Sequence, residues 1–242
     1  MAWTTIARRL GRELARALLD VLCPPACPAC GTAAEGLCGG CRALLERRPE
    51  PWCERCGEPV VAEGATCGDG HRWMTGIRAA RAPLRYRGTG GALVRRLKFE
   101  GDLGAARLLA RAMADAVGPW LRRHARRAVL VSVPLHRRKL RRRRLDQAAL
   151  LAELVAARLD LRLAPGALRR VRDTLPQGDP RVTARAANVA GAFAVRRRRP
   201  VAGRVVVLVD DTVTSGSTVR ECARALRAAG ARSVVVLSAV RA

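Results

Sequence analysis

The sequence has few aromatic residues, almost no lysine and few acidic residues. Aromatic side chains make up 3% of the 242 residues, which argues against a groove of stacking rings for single-stranded nucleic acid. Lysine occurs only at Lys98 and Lys139, although 46 residues are basic and 20 are acidic. The formal net charge of +26 is therefore carried almost entirely by arginine. Arginine in this amount fits a nucleic-acid-binding surface or G+C-rich coding, and composition alone leaves both explanations open.

Long apolar runs and export signals are also missing. No run approaches the ~20 residues that span a bilayer, and Arg8, Arg12 and Asp20 interrupt the start of the chain, which excludes a signal-peptide core. Apolar residues at helical spacing predict instead an amphipathic helix over residues 1–22, although an arginine-rich start also suits an organelle transit peptide. We expect a cytoplasmic protein without a membrane span.

Cysteine is abundant, and eight of the nine cysteines lie between Cys23 and Cys67. The odd total and the clustering argue against a disulfide framework. Two CxxC turns supply four thiolates for one tetrahedral ion, and neighbouring glycines ease the tight backbone. The spacing therefore predicts an all-thiolate zinc site whose ligands are Cys27, Cys30, Cys38 and Cys41.

A second ligand set follows directly, with three cysteines and one histidine: Cys53, Cys56, Cys67 and His71. This set depends on His71, which is alternatively a surface loop residue. Cys23 is left over, either as a packed thiol or as a substitute for Cys27. Residues 23–76 are predicted to form a double zinc-ribbon domain with one or two Zn²⁺ ions. These ions are structural or serve a docking module, because protein ligands leave no coordination position open for catalysis.

Beyond residue 76 the pattern changes to alternating strands and helices. Short β-branched runs predict strands buried on both faces at Val129–Val133, Val205–Val209 and Val234–Val240. Helical patterns lie at Leu103–Val117, Asp146–Leu159 and Ser217–Ala228. The segment Ile77–Arg87 is predicted to add an edge strand or a hairpin. The alternation predicts an α/β domain over residues 77–242, with a mainly parallel sheet flanked by helices.

One motif in this domain carries chemistry, whereas the Walker P-loop, GxGxxG, HExxH and GxSxG motifs are absent. The strand at Val205–Val209 runs into Asp210 and Asp211, and small hydroxyl residues around Gly216 then lead into a helix. Backbone N–H groups of such a turn bind an anion, and the two carboxylates accept from sugar hydroxyls. The motif predicts a site for a phosphorylated sugar, and helix capping alone would not need two acids and a run of small residues.

Asp210-Asp211-x-x-Thr214-Ser215-Gly216-Ser217-Thr218 resembles the phosphoribosyl-pyrophosphate (PRPP) signature of type I phosphoribosyltransferases. The chain as a whole is similar to the ComF family, which is associated with bacterial DNA uptake. The segments that support this similarity beyond the signature are the paired CxxC turns, Leu97-Lys98-Phe99-x-Gly101, Val131-x-Val133-Pro134-Leu135-His136, Gln147-Ala148, Asp173-Thr174-x-Pro176-Gln177 and Arg185-x-x-Asn188-Val189-x-Gly191-x-Phe193.

The resemblance implies roles for the signature, for the segment that follows Val131 and for the segment that begins at Asp173. Asp210 and Asp211 would be the catalytic pair that holds the ribose hydroxyls, and Thr214, Ser215, Gly216, Ser217 and Thr218 would bind the 5-phosphate. The pyrophosphate loop would lie at Val133–Arg137 and include Pro134, Leu135, His136 and Arg137, with Mg²⁺ bridging pyrophosphate and ribose. The segment Asp173–Asn188 would be a mobile hood, and its composition independently predicts a loop.

The sequence departs from the family pattern after the pyrophosphate loop. The family usually has Arg-Gly-aromatic-Asn-Gln there, and this chain has Arg143-Arg144-Leu145-Asp146-Gln147. The changed residues put the substrate-facing part of this segment in question.

Three functions are open at this point. The first is a phosphoribosyltransferase that acts on a nitrogen nucleophile. The second is a non-catalytic accessory protein of DNA uptake that binds single-stranded DNA through Arg137, Arg138, Lys139, Arg141 and Arg142. The third is a zinc-ribbon scaffold that docks a helicase-type partner, for which Trp52 and Trp73 would be suitable apolar contacts.

Overall fold

A computed structural model describes residues 24–65, 67–68, 71–136, 138, 140–141, 145–172, 174 and 185–242. Several predicted features lie outside the described residues: the N-terminal helix over 1–22, Cys23, Arg137, Lys139, Arg142 and most of the hood. Within the described part, no helix is both long and apolar enough to cross a membrane.

The described elements include the strands and helices predicted beyond residue 76 and add others that were not predicted, among them the helices Gly88–Phe99 and Arg185–Val189. The second of these lies at the end of the segment predicted as a loop, Asp173–Asn188. The helices are α1 (Gly39–Ala43), α2 (Gly88–Phe99), α3 (Leu103–His124), α4 (Gln147–Leu159), α5 (Arg185–Val189) and α6 (Ser217–Ala228), with a 3₁₀ turn at Arg72–Met74. The strands are β1 (Ala79–Arg81), β2 (Leu84–Arg85), β3 (Val129–Ser132), β4 (Arg162–Leu163), β5 (Leu168–Arg170), β6 (Phe193–Val195), β7 (Val205–Val213) and β8 (Ser233–Arg241).

The main sheet is parallel, which confirms the predicted fold class. Its order is β1-β8-β7-β3-β4, and β2 also pairs with β8. The segment predicted as an edge strand or hairpin thus forms two short edge strands, β1 and β2, each parallel to β8. A separate antiparallel pair joins β5 and β6.

The two faces of the sheet pack against different helices. Along β7, Val205, Val207 and Val209 lie in one buried cluster with α2, α3 and α4. Val206 and Leu208 lie in the other cluster with α6 and the β5–β6 pair. This alternation follows from the two-residue period of a strand, and it makes a three-layer domain with helices on both faces.

β8 is one residue longer than predicted at each end, and two other elements extend much further. β7 continues to Val213 because Asp210, Thr212 and Val213 still pair with β8, so the carboxylate pair lies within the strand and not after it. α3 continues past Gly118 and Pro119 to His124. The continuation is stabilised by Trp120 and Leu121, which are both buried against the sheet.

Candidate functional site

The predicted ligand loops meet at the carboxyl edge of the sheet, between β3 and β7. These two strands are parallel neighbours, and the backbone N–H of Val133 donates to the carbonyl oxygen of Val209 at 2.8 Å. The helices that follow them, α4 and α6, pack on opposite faces of the sheet. The connections therefore diverge here, which makes a topological switch point, the place where open α/β sheets bind their ligands.

Asp210 and Asp211 lie at this edge on opposite sides of β7. The carboxylate of Asp211 forms a 3.0 Å ion pair with the ammonium of Lys98, at the end of α2. Lys98 also donates to the hydroxyl of Thr212 at 3.3 Å. The carboxylate of Asp210 accepts from the backbone N–H of Asp211 at 2.9 Å. The carboxylates are thus fixed by a lysine and by the backbone.

Burial raises the pKa of Asp210 well above its usual range, and the negative charge of Asp211 adds to this effect. The ammonium of Lys98 acts in the opposite direction. On the α6 side, burial and the charge of Asp210 raise the pKa of Cys222, which stays a neutral packed thiol. A bound cation, or a ligand that donates hydrogen bonds to the carboxylates, would reduce the repulsion between Asp210 and Asp211.

Asp146, the acid at the departure from the family pattern, is the N-cap of α4. Its carboxylate accepts from the backbone N–H of Ala149 at 3.0 Å. Burial raises the pKa of Asp146, against hydrogen bonds from the amides of Ala149 and Leu135. Because Asn and Asp cap helices equally well, the change preserves the local structure. The change affects the site electrostatically, because the negative charge of Asp146 also raises the pKa of Asp210.

Gly216 turns the chain from β7 into α6. It has left-handed backbone angles, φ 73° and ψ 0°, and occupies the N-cap of α6. The hydroxyls of Ser215 and Ser217 lie 3.0 Å apart. A small cavity at this turn is lined by Asp210, Thr212, Val213, Thr214, Gly216, Ser217, Thr218 and Val219. The turn thus presents hydroxyls and the amino end of a 12-residue helix to one place.

A larger cavity of about 880 Å³ lies away from this turn. Its lining includes Arg55, Arg78, Arg227 and Arg232, close to the residues that precede β1 and β8. It is therefore at the amino edge of the sheet, and ligands of open α/β sheets bind at the opposite edge. We place the candidate site at the smaller cavity.

Lys98 is a site residue to which sequence reasoning gave no role. Its contact with Asp211 joins residues 113 positions apart, which no local pattern indicates. One signal was available: arginine replaces nearly every lysine in this chain, yet a lysine stands at position 98. A compact ammonium is not interchangeable with a planar guanidinium beside a carboxylate pair.

The segments predicted to bind pyrophosphate and to form the hood are described only in part. Pro134, Leu135 and His136 follow β3 and are half-buried, and Arg138 and Arg141 of the predicted nucleic-acid cluster are exposed. At the base of the hood, the guanidinium of Arg172 donates to the carbonyl oxygen of Asn188 at 3.3 Å.

Two clusters of metal-ligating side chains lie in the N-terminal region. One joins Cys27, Cys30, Cys38 and Cys41, the other joins Cys53, Cys56, Cys67 and His71, and within each cluster all ligand atoms lie within 4.8 Å of one another. The sulfurs of Cys30 and Cys38 are 3.7 Å apart. A tetrahedral ion with Zn–S bonds of about 2.3 Å separates its sulfurs by about this distance, so the donor sets fit zinc.

His71 joins the second cluster through an uncommon backbone conformation. It is left-handed, with φ 56° and ψ 26°, which a non-glycine residue adopts only at a cost. Its Nε2 atom lies 3.3 Å from the sulfur of Cys53 and 3.2 Å from that of Cys67. The conformation thus brings the imidazole to the thiols and not to solvent.

The thiols of each cluster differ in how readily they ionise. For Cys27 and Cys53 burial acts to raise the pKa, but hydrogen bonds from backbone amides outweigh it and lower the pKa to about 6. The hydrogen bond with Cys30 raises the pKa of Cys41 to about 12, and burial raises that of Cys56 to about 12. Without a cation, one thiolate suppresses the ionisation of the neighbouring thiols, whereas a bound ion stabilises the thiolate form of all of them.

The second cluster region is attached to the domain by a partly buried ion network. Arg48, whose side chain is 4% exposed, pairs with Glu58, and Glu58 also pairs with Arg241 of β8 at 2.7 Å. The guanidinium of Arg241 lies 4.6 Å from the centre of the Trp73 ring. The ribbon region and the sheet therefore share polar and aromatic contacts.

Profiles of two known families match the chain. One is described as a double zinc ribbon domain and matches residues 18–70. The other is described as a phosphoribosyl transferase domain and matches residues 145–241. The chain therefore carries a zinc-ribbon region followed by a phosphoribosyltransferase domain.

Curated relatives match over most of the chain. Competence protein F of Haemophilus influenzae is 30% identical over 219 residues, which cover 87% of this chain and 92% of that protein. DNA utilization protein YhgH of Escherichia coli K12 is 32% identical over 208 residues, which cover 83% and 88%. Orotate phosphoribosyltransferase of a Nocardioides species is 55% identical over 40 residues, 16% of this chain and 22% of that protein. With such identity to competence protein F and YhgH along nearly their whole lengths, the chain belongs to the ComF family.

Proposed function

We propose that the chain binds PRPP with Mg²⁺ at the carboxyl edge between β3 and β7 and transfers the phosphoribosyl group to a nitrogen nucleophile. The observation that carries this proposal is the switch point, where β7 carries a carboxylate pair and runs into a glycine-turned helix N-terminus, while the loop at Pro134–His136 follows the neighbouring strand β3. This pairing provides oxygen acceptors for a sugar beside donors for phosphate.

Each part of PRPP has residues of suitable chemistry. The carboxylates of Asp210 and Asp211 accept hydrogen bonds from the ribose hydroxyls, and the turn from Thr214 to Thr218 donates hydrogen bonds to the 5-phosphate. The loop from Pro134 to Arg137 receives the pyrophosphate. The hard carboxylate oxygens of Asp210 and Asp211 would suit Mg²⁺, and the ion would supply positive charge for the departing pyrophosphate.

The transfer exchanges one bond at the ribose anomeric carbon for another. The bond from this carbon to the pyrophosphate oxygen breaks, and its electron pair leaves with pyrophosphate. The lone pair of the nitrogen forms the new bond, and the nitrogen releases a proton to solvent. Asp210 and Asp211 hold the ribose through its hydroxyls while positive charge develops on the ring, which orients the carbon between the two groups.

The zinc ions of the double ribbon have a structural role in this proposal. The ligands are Cys27, Cys30, Cys38 and Cys41 for one ion and Cys53, Cys56, Cys67 and His71 for the other. Substituting Cys30→Ser or Cys67→Ser should each remove about one equivalent of zinc, because a four-ligand site loses most of its affinity with one donor. Metal analysis that finds two equivalents in either variant would contradict this assignment.

The cellular role proposed here is in the uptake or use of DNA, as the names of the relatives suggest. The sugar-phosphate site then serves a reaction within that process.

Ligand binding and turnover test the proposal separately. PRPP with Mg²⁺ should raise the melting temperature of the wild-type protein and give a calorimetric binding signal. Asp210→Asn combined with Asp211→Asn should remove both, whereas Asp115→Asn, on an exposed face of α3, should leave them unchanged. Pyrophosphate release with a panel of amines and ammonia then tests transfer. No binding of PRPP by the folded, zinc-loaded wild type would overturn the proposal.

A further inference from the structure

Trp73, which belongs to the ribbon region, lies directly against the phosphate turn. A methyl group built on Gly216 would lie 2.6 Å from Cε3 and 3.3 Å from Cδ2 of the Trp73 ring. Carbon atoms do not approach so closely, so the ring occupies the space that any side chain at position 216 would need. The backbone of the turn therefore rests on the indole.

The second metal cluster lies close to this indole along the chain. His71, whose Nε2 contacts two thiols, is the N-cap of the 3₁₀ turn that carries Trp73. The carbonyl oxygen of His71 accepts from the backbone N–H of Met74 at 2.9 Å, and Met74 is fully buried. Trp73 is thus fixed between a ligand of the cluster and a core residue.

Polar bonding of the indole does not explain its position. The Nε1 atom of Trp73 is buried and has no hydrogen-bond acceptor among the described residues. Leaving such a donor unsatisfied is unfavourable. The ring contacts the turn at Gly216 and the guanidinium of Arg241, and it packs against the buried cluster on the α6 face of the sheet. The Trp73 ring is therefore held by the 3₁₀ turn that begins after His71 and by packing against its neighbours.

The turn at Gly216 is sensitive to small displacements. Its N–H groups and the hydroxyls of Ser215 and Ser217 must converge on one phosphate. A displacement of about 1 Å of groups that position a ligand can reduce function by about a hundredfold. A residue that holds this turn in place therefore influences the affinity of the turn for phosphate.

We propose that Trp73 is a positioning residue that couples the second metal cluster to the 5-phosphate turn. Metal at Cys53, Cys56, Cys67 and His71 fixes the indole, the indole fixes Gly216, and the affinity for the ribose 5-phosphate part of the substrate rises. By thermodynamic reciprocity, the sugar phosphate also tightens metal binding at this cluster. The inference rests on the proposed function, because it assigns a support to the same site.

The test separates the two ends of the substrate. Calorimetry with Mg²⁺ measures binding of ribose 5-phosphate and of inorganic pyrophosphate to wild type, Trp73→Ala, Trp73→Phe and Trp52→Ala. Trp73→Ala should bind ribose 5-phosphate about tenfold more weakly, within the usual range of coupling between sites, and should bind pyrophosphate as wild type does. Trp73→Phe should retain most of the affinity. Trp52→Ala truncates a tryptophan of the same ribbon whose indole donates to the carbonyl oxygen of Arg48, and it should match wild type.

A second perturbation acts on the metal and does not depend on whether Trp73→Ala folds. His71→Ala should lose one zinc equivalent and weaken ribose 5-phosphate binding, and His71→Cys, which keeps four donors, should restore both. Zinc content is measured on the same samples.

The outcomes are distinguishable. Equal affinity of Trp73→Ala and wild type for ribose 5-phosphate, or an equal loss for ribose 5-phosphate and pyrophosphate, would overturn the coupling and leave the proposed function standing. Failure of the wild type to bind PRPP, ribose 5-phosphate and pyrophosphate would overturn the proposed function itself. Loss confined to ribose 5-phosphate, restored by Trp73→Phe and His71→Cys, supports the coupling.

Discussion

Replacing Gly216 by alanine should destabilise the protein by two separable effects. The left-handed backbone at φ 73° costs an alanine about 1–2 kcal/mol. The new methyl would lie 2.6 Å from the Trp73 ring, and such overpacking typically costs about 1–3 kcal/mol. Together they predict a loss of about 2–5 kcal/mol in the free energy of unfolding, or a fall in Tm of about 4–20 °C for a chain of this size.

A double-mutant cycle distinguishes the two effects. In a Trp73→Ala background the methyl has space, so Gly216→Ala should cost only the backbone part, about 1–2 kcal/mol. Urea unfolding of the four proteins, followed by circular dichroism at one fixed zinc concentration, measures the difference. If Gly216→Ala costs the same in both backgrounds, the contact between turn and indole does not exist in solution, and the reasoning about the turn is refuted.

Three further changes test the charges around the site and the ribbon. Asp210→Asn should raise Tm at pH 7, because the folded state raises the pKa of this acid and stability is lost as pH rises above the ordinary pKa of 3.8; a lower Tm than wild type would contradict the burial of its charge. Lys98→Met removes the positive charge that lowers the pKa of Asp210, so the pH at which calorimetry finds half-maximal affinity for Mg²⁺ and PRPP should move upward, and an unchanged profile would refute the pairing. Glu58→Gln should cost about 3 kcal/mol in urea unfolding, because it leaves the buried guanidinium of Arg48 without its carboxylate; a loss below about 0.5 kcal/mol would mean that the network with Arg241 is solvated like a surface pair.

The sequence predicts the elements that local rules control. α6 begins and ends where predicted, because Gly216 cannot continue a strand and Ser217 begins an apolar helical pattern. The extension of β7 to Val213 was missed because buried apolar runs mark strands, whereas its last residues are polar and are held by pairing with β8. The extension of α3 was missed because Gly118 and Pro119 suggest a stop, which the burial of Trp120 overrides.

Local sequence patterns do not predict contacts between distant parts of the chain. The site motif at Asp210–Thr218 was visible because it is contiguous. The partner of Asp211 was not visible, because Lys98 lies in α2, 113 residues earlier in the chain. The support of Gly216 by Trp73 is equally remote, since it depends on how the ribbon packs against the sheet. Sequence reasoning thus predicted the motif, and the packing of distant segments brings Lys98 and Trp73 against it.

The lone ammonium at Lys98 has a consequence for which molecules reach the site. The net charge of +26 draws phosphate-bearing anions of every kind to the protein surface. At the switch point, the charges of Asp211 and Asp146 oppose the ionisation of Asp210, and the ammonium of Lys98 offsets them only in part. A bare anion is attracted from afar and repelled at close range, whereas an anion that carries a divalent cation is accepted. We expect pyrophosphate to bind on the carboxylate side of the site much more tightly with Mg²⁺ than without it.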